Sequence, residues 1–141
     1  MLQDIVDELL EQTGASRVTI RLDMPGQVFP VAAEALEEGT RSIAGDASID
    51  LRASATFKYL EREQRNLIQE DCAAGEFPAP PELIEFYGVK AQMLAPLVRD
   101  DRLAGILSVH FAPATRVWTS DDVAALDAAA ARVTSELQSE P

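Results

Sequence analysis

Four basic residues, Arg52, Lys58, Arg62 and Arg65, fall between positions 52 and 65 against only Glu61 and Glu63, in a chain of formal net charge −12. A local excess of cations in an acidic protein is where an anionic or carbonyl-bearing small molecule would find donors. Tyr59, Tyr87, Lys90 and Gln92 can add hydroxyl, ammonium and amide groups. The candidate ligand-binding set is Arg52, Lys58, Tyr59, Arg62, Tyr87 and Gln92. Lys58 and Arg62, four apart on a predicted helix, share one face, so only part of the set can turn inward. The same residues also fit a solvated helix face with local Glu–Arg pairs.

Other chemistry is short of parts. Cys72 is the single cysteine and His110 the single histidine. No internal disulfide, thiolate metal site or Ser-His-Asp arrangement follows from them, so the expectation is no catalytic residues, no metal and no enzyme. Cys72 has no adjacent base and reads as a small buried hydrophobe near a strand end; an intermolecular Cys72 disulfide is the redox alternative. His110, in line with Ile106 and Ser108, reads as a capped or half-exposed strand-end residue. Trp118 is expected to anchor the connection into the last helix, its N–H reaching a carbonyl.

The acidic balance makes nucleic acid and anionic membrane poor partners, because both carry the charge this surface repels. No run approaches the ~20 apolar residues that span a bilayer. The acidic, amphipathic start MLQDIVDELLEQ lacks the basic segment of a signal peptide, which points to a cytoplasmic protein. With 141 residues, 47% of them hydrophobic, the chain suits one domain, residues 1–141.

The elements that must position these residues are legible to different degrees. Leu2, Ile5, Val6, Leu9 and Leu10 form one helical stripe over residues 1–13, stopped at Gly14. That stripe suits either the protein's own core or a dimer seam. Arg17 to Leu22 alternates as a half-buried strand with Val18, Ile20 and Leu22 inward. Asp23-Met24-Pro25-Gly26 is a turn, and Val28 to Ala33 is expected to return as the second strand of a hairpin. Residues 34–66 are the least periodic, with a short helix predicted over 55–65. A third strand falls at 66–69, a proline-rich loop at 73–81 and a short helix at 82–87. Lys90 to Val98 and Leu103 to Phe111 are two long strands around the turn Arg99-Asp100-Asp101-Arg102. The second is apolar on both faces, as in a central strand, with Gly105 marking a close approach. Thr119 and Asp122 form the capping pair of a last helix on which Val123, Leu126, Ala130, Val133 and Leu137 recur. Ala128 to Ala131 give that helix a smooth flank.

This order resembles the GAF domain family. The resemblance is carried by Ala15 to Leu22, the strand end Ile68 to Asp71, Gly88-Val89-Lys90 leading to Ala95-Pro96-Leu97, Leu103 to Leu107, and Trp118-Thr119-Ser120-Asp121-Asp122. It covers essentially the whole chain. It implies an α+β fold: an antiparallel sheet of five to six strands, terminal helices on one face, and a ligand pocket on the other, roofed by short helices and loops. Several activities of that family lack their residues here. Covalent bilin attachment uses a Cys-His pair, and Cys72 is followed by Ala73. Reduction of methionine sulfoxide uses several cysteines. Haem-sensing members place a histidine where this chain has Glu82 to Tyr87, and the Asn-Lys-Phe-Asp-Glu signature of cyclic-nucleotide binders is not visible.

The resemblance therefore implies a sensory or regulatory domain that binds an unidentified small molecule non-covalently, with no cofactor, and signals through its terminal helices. A homodimer is expected through residues 1–13 and 121–138. The rival is a dimerisation or scaffold module whose pocket is collapsed.

Overall fold

The computed structural model describes residues 1–46 and 48–139, so the last two residues of the expected 1–141 domain lie outside the described residues. The chain runs through α1 (Leu2–Thr13), β1 (Arg17–Leu22), β2 (Val31–Leu36), α2 (Ala55–Glu63), β3 (Leu67–Gln69), α3 (Pro81–Glu85), β4 (Ala91–Arg99), β5 (Arg102–Phe111) and α4 (Ser120–Ser139). Five strands form one antiparallel sheet in the order β2-β1-β5-β4-β3. The doubly apolar β5 is its middle strand, as its composition requires.

The two faces of the sheet are built from different residues. On one, Val18, Ile20, Met93, Leu107 and Val109 pack against Ile5, Val6 and Leu9 of α1 and Leu126, Ala129 and Val133 of α4. The stripe of α1 is thus spent on the protein's own core, and Gly14 in the left-handed region (φ 64°) ends that helix. Thr119 and Asp122 cap α4 reciprocally: Asp122 N donates to Thr119 Oγ1 at 3.1 Å, and Thr119 N donates to an Asp122 carboxylate oxygen at 3.0 Å. Trp118 Nε1 donates to the Gln69 carbonyl at 3.0 Å, anchoring the entry to α4 on β3.

The opposite face is roofed by the segment between β2 and β4. Leu51, Phe57 and Leu60 pack on Leu94 and Ile106, while Ile43, Cys72, Ala79, Leu83 and Val89 form a smaller cluster beside them. This cover corrects the reading of β1 as a half-buried strand. Arg17 (2% exposed), Thr19 (0%) and Arg21 (8%), the polar alternates, are buried beneath the roof.

A second correction concerns β2, which starts at Val31 rather than Val28. Phe29 adopts a positive φ (47°) that turns its ring inward, 5.1 Å from that of Phe57, and Pro30 supplies no N–H for a ladder. The β4–β5 hairpin closes on Asp100 and Asp101, both at positive φ (53° and 61°), as a two-residue mirror-image turn requires.

Gly105 of β5 meets the close approach its sequence suggests. A Cβ there would lie 2.5 Å from the Arg21 carbonyl oxygen, 2.9 Å from Leu22 Cδ2 and 3.0 Å from Leu97 Cδ1. The leucine tips can rotate away, but the carbonyl belongs to a neighbouring strand. Gly105→Ala is expected to cost about 1–3 kcal/mol, read as a lower denaturant midpoint at unchanged m-value.

Candidate functional site

The antiparallel register places polar side chains in rows on the roofed face of the sheet. One row crosses four strands as Gln69, Gln92, His110 and Arg17; the next holds Leu94, Ser108, Thr19 and Glu34. Arg21 stands across from Ile106, one row further on. Arg21, Gln92, Ser108 and His110 line a small cavity of about 30 Å³, with Leu51, Thr56, Phe57, Leu60, Pro80 and Leu83 above them. A space of this size holds about two waters. A wider groove of about 590 Å³ lies outside it, between Val28, Pro30 and Val31 on one side and Ile43, Asp46, Ile49 and Leu51 on the other. Arg21, Ile43 and Leu51 line both spaces, so they form the neck between them.

Hydrogen bonds fix most of this polar floor. Arg17 Nη1 lies 3.1 Å from His110 Nδ1, and its Nε donates to the Arg41 carbonyl at 3.2 Å. The Arg17 guanidinium also sits 5.2 Å from the centre of the Tyr87 ring. Because an arginine can only donate, His110 Nδ1 accepts, and the neutral ring carries its proton on Nε2. Burial, reinforced by Arg17 and Arg21, holds the His110 pKa well below its ordinary value. Gln92 Nε2 donates to Gln69 Oε1 at 2.7 Å. Gln92 Oε1 and Thr19 Oγ1 are buried with no hydrogen-bond partner among the described residues. Buried polar groups without protein partners are few in folded proteins.

The sequence-derived candidates divide sharply. Gln92 lies in the polar floor, 1% exposed. Tyr87 is at the edge of the roof, its hydroxyl donating to an Asp46 carboxylate oxygen. Tyr59 is half-buried, its ring 4.8 Å from that of Phe77. Arg52, Lys58 and Arg62 are exposed on the outside of the roof. Arg62 pairs with Glu63, as does Arg65, and Arg52 stacks over Phe29 and Phe57. Lys58 and Arg62 stand on the solvated face of α2, while Arg52 precedes that helix and Arg65 follows it.

The sequence pattern did not single out Arg17, Thr19 and Arg21, and it suggested a capped or half-exposed strand end for His110, which the structure buries at 2% exposure. The physical reason is the roof, which turns the hydrophilic side of an alternating strand into the floor of a covered site. The signal was present: if one face of such a sheet is roofed, the polar alternates of β1 must lie under that roof.

Cys72 is fully buried outside the cavity. Its Sγ donates to the Val89 carbonyl at 3.2 Å, and burial pushes its thiol up to about 11, which leaves it unreactive.

This architecture is a five-stranded antiparallel sheet with the terminal helices on one face and a roof over a small polar cavity on the other. The chain belongs to the GAF domain family, whose family model matches residues 1–137. It is 28% identical to an uncharacterized protein of Picosynechococcus sp. over 98% of this chain and 85% of that one. Among solved structures, the cyanobacteriochrome receptor PixJ superposes with a TM-score of 0.79 at 23% identity, over 98% of this chain and 93% of that one. The blue-light-absorbing form of the Thermosynechococcus elongatus PixJ GAF domain gives 0.76 at 23% identity, over 97% and 84%. The chromophore-binding domain of a bacteriophytochrome from R. palustris gives 0.76 at 20% identity, covering 97% of this chain and 53% of that one. At these identities the structural likeness establishes the fold.

His110 gives the site a pH signature of known sign. Its folded pKa is depressed, so below about 6.5 the unfolded chain takes up a proton that the folded one refuses. Stability is full above that pH and falls as pH drops towards 5, by at most about 1.4 kcal/mol per unit. Melting temperatures between pH 7.5 and 5 are expected to show this decline, and His110→Gln to flatten it.

Proposed function

We propose that this domain is a cytoplasmic sensory or regulatory module that binds a small molecule non-covalently beneath its roof. The observation that carries this reading is the contrast between the two faces of the sheet. The helix-covered face is packed with apolar side chains, whereas the roofed face holds two arginines, a histidine and two unpartnered oxygens. A face serving only as a scaffold would gain stability from apolar filling instead. Binding rather than turnover is the proposed activity, since no nucleophile–base pair stands on the floor.

The light-absorbing and chromophore-binding roles named for the structural neighbours do not carry over easily. Cys72 is buried away from the cavity, and about 30 Å³ is far below the 300–1,000 Å³ typical of larger ligands. A smaller ligand reaching the floor through the outer groove suits the geometry better. The same small volume favours the second reading, a dimerisation module with a collapsed pocket.

Closure of residues 43–51 over a ligand would bias how α1 and α4 meet a partner. The outer side of α4 supports a contact with a second copy, since Ala124, Ala128 and Ala131 are exposed at steps of four and three. Light scattering at micromolar concentration is expected to give a dimer; a monomer discards that contact.

Thermal-shift screening with nitrogenous, aromatic and carboxylate metabolites separates sensor from scaffold. A ligand at one hundred times its Kd adds about 2.7 kcal/mol, or ~6–10 °C for a domain of this size. A flat response across the whole panel would favour the scaffold.

A further inference from the structure

Arg21 is a buried cation without an ion-pair partner. No carboxylate lies within 4.0 Å of it or of Arg17 among the described residues. Its Nη1 donates to the Phe29 carbonyl at 3.0 Å, which leaves four of its five N–H groups for other partners. The nearest acids are engaged elsewhere. Glu34 accepts from the Ser42 hydroxyl and from Ile43 N, and Asp46 accepts from Ser48 N, Ser48 Oγ and the Tyr87 hydroxyl. Burial weakens the hold of both arginines on their protons, opposed for each by the more distant charge of Glu34 and, for Arg21, by that of Asp46. A guanidinium held out of water without a counter-charge is unfavourable, and an anion arriving there would offset that cost.

The surroundings narrow the class of anion. Arg21 sits at the neck of the outer groove, where Val28, Val31, Ile43, Ile49 and Leu51 supply apolar walls and Asp46 and Asp50 stand on the rim. The planar fork of a guanidinium matches the two oxygens of a carboxylate. The apolar walls suit a hydrocarbon tail. The acidic rim disfavours a second negative charge, which argues against phosphates and dicarboxylates.

Building on the sensor reading above, we propose that this site takes an aliphatic monocarboxylate, its head group on Arg21 at the neck and its tail along the groove. Gln92 Oε1 and Thr19 Oγ1 lie deeper on the same face, where a water drawn in with the head group would give them a partner. The Tyr87 hydroxyl donates to Asp46 on the rim of the groove and so ties that rim to the chain just after α3.

The test compares hexanoate, hexanamide and inorganic phosphate by thermal shift and by titration calorimetry on the purified chain. Hexanoate is expected to raise the melting temperature in a concentration-dependent way, while the uncharged amide and phosphate leave it unchanged. Arg21→Met is expected to abolish the hexanoate response while melting no lower than the parent without ligand, because it removes an unpaired buried charge. Equal responses to hexanoate and hexanamide, or a full hexanoate response in Arg21→Met, would overturn the assignment. If Arg21→Met does not fold, the acid–amide comparison on the unaltered chain decides. A neutral metabolite that binds while every monocarboxylate fails would refute this inference and leave the sensor reading standing. Failure of every compound would remove both.

Discussion

The Arg17 guanidinium ties the roof to the sheet. It starts on β1, meets His110 of the neighbouring β5, donates to the Arg41 carbonyl in the segment after β2, and lies against the Tyr87 ring that follows α3. Four separate parts of the chain therefore depend on one buried charge. Such a group is tolerated only where its donors are met, and here carbonyl, imidazole and aromatic face meet them without a carboxylate. The roof cannot lift away as a whole without exposing or orphaning this cation.

That constraint sets what the rest of the covered face can be. A floor organised around Arg17 keeps His110 neutral, because a second buried positive charge beside it would be strongly disfavoured. Arg21, four residues along β1, has no carboxylate of its own among the described residues. Arg17 meets three partners, whereas Arg21 makes one hydrogen bond, to the Phe29 carbonyl. The groove opens beside Arg21.

The terminal helices stand on the opposite side of the same strands. Val18 and Ile20 of β1 touch the core under α1 and α4, while Arg17, Thr19 and Arg21 face the roof. A shift in β1 registers on both faces because successive side chains point to opposite sides of a strand. Arg116 adds a link at the other end. It donates to the Thr13 carbonyl at the end of α1 and to the Asp122 carboxylate in the first turn of α4. The two helices that would carry an output are held together by this residue and by the Glu8–Arg132 pair.

The sequence by itself determined the elements whose signals are local. The α1 stripe ended by Gly14, the Thr119–Asp122 cap, the alternation of β1 and the doubly apolar β5 all stand where their residues put them, since periodicity and capping act within a few positions. Tertiary structure decided which side of β1 counts as inside. Arg17, Thr19 and Arg21 read as solvent-facing because alternation cannot say whether a second layer covers the polar side. The orientation of Lys58 and Arg62 on α2 was hidden for the complementary reason. A local excess of charge shows which residues can donate, but only packing shows which way the helix is turned, and Phe57 and Leu60 turn it so that Lys58 and Arg62 point to water. Burial is a long-range property, so the site became readable only when residues far apart in the chain met across the sheet.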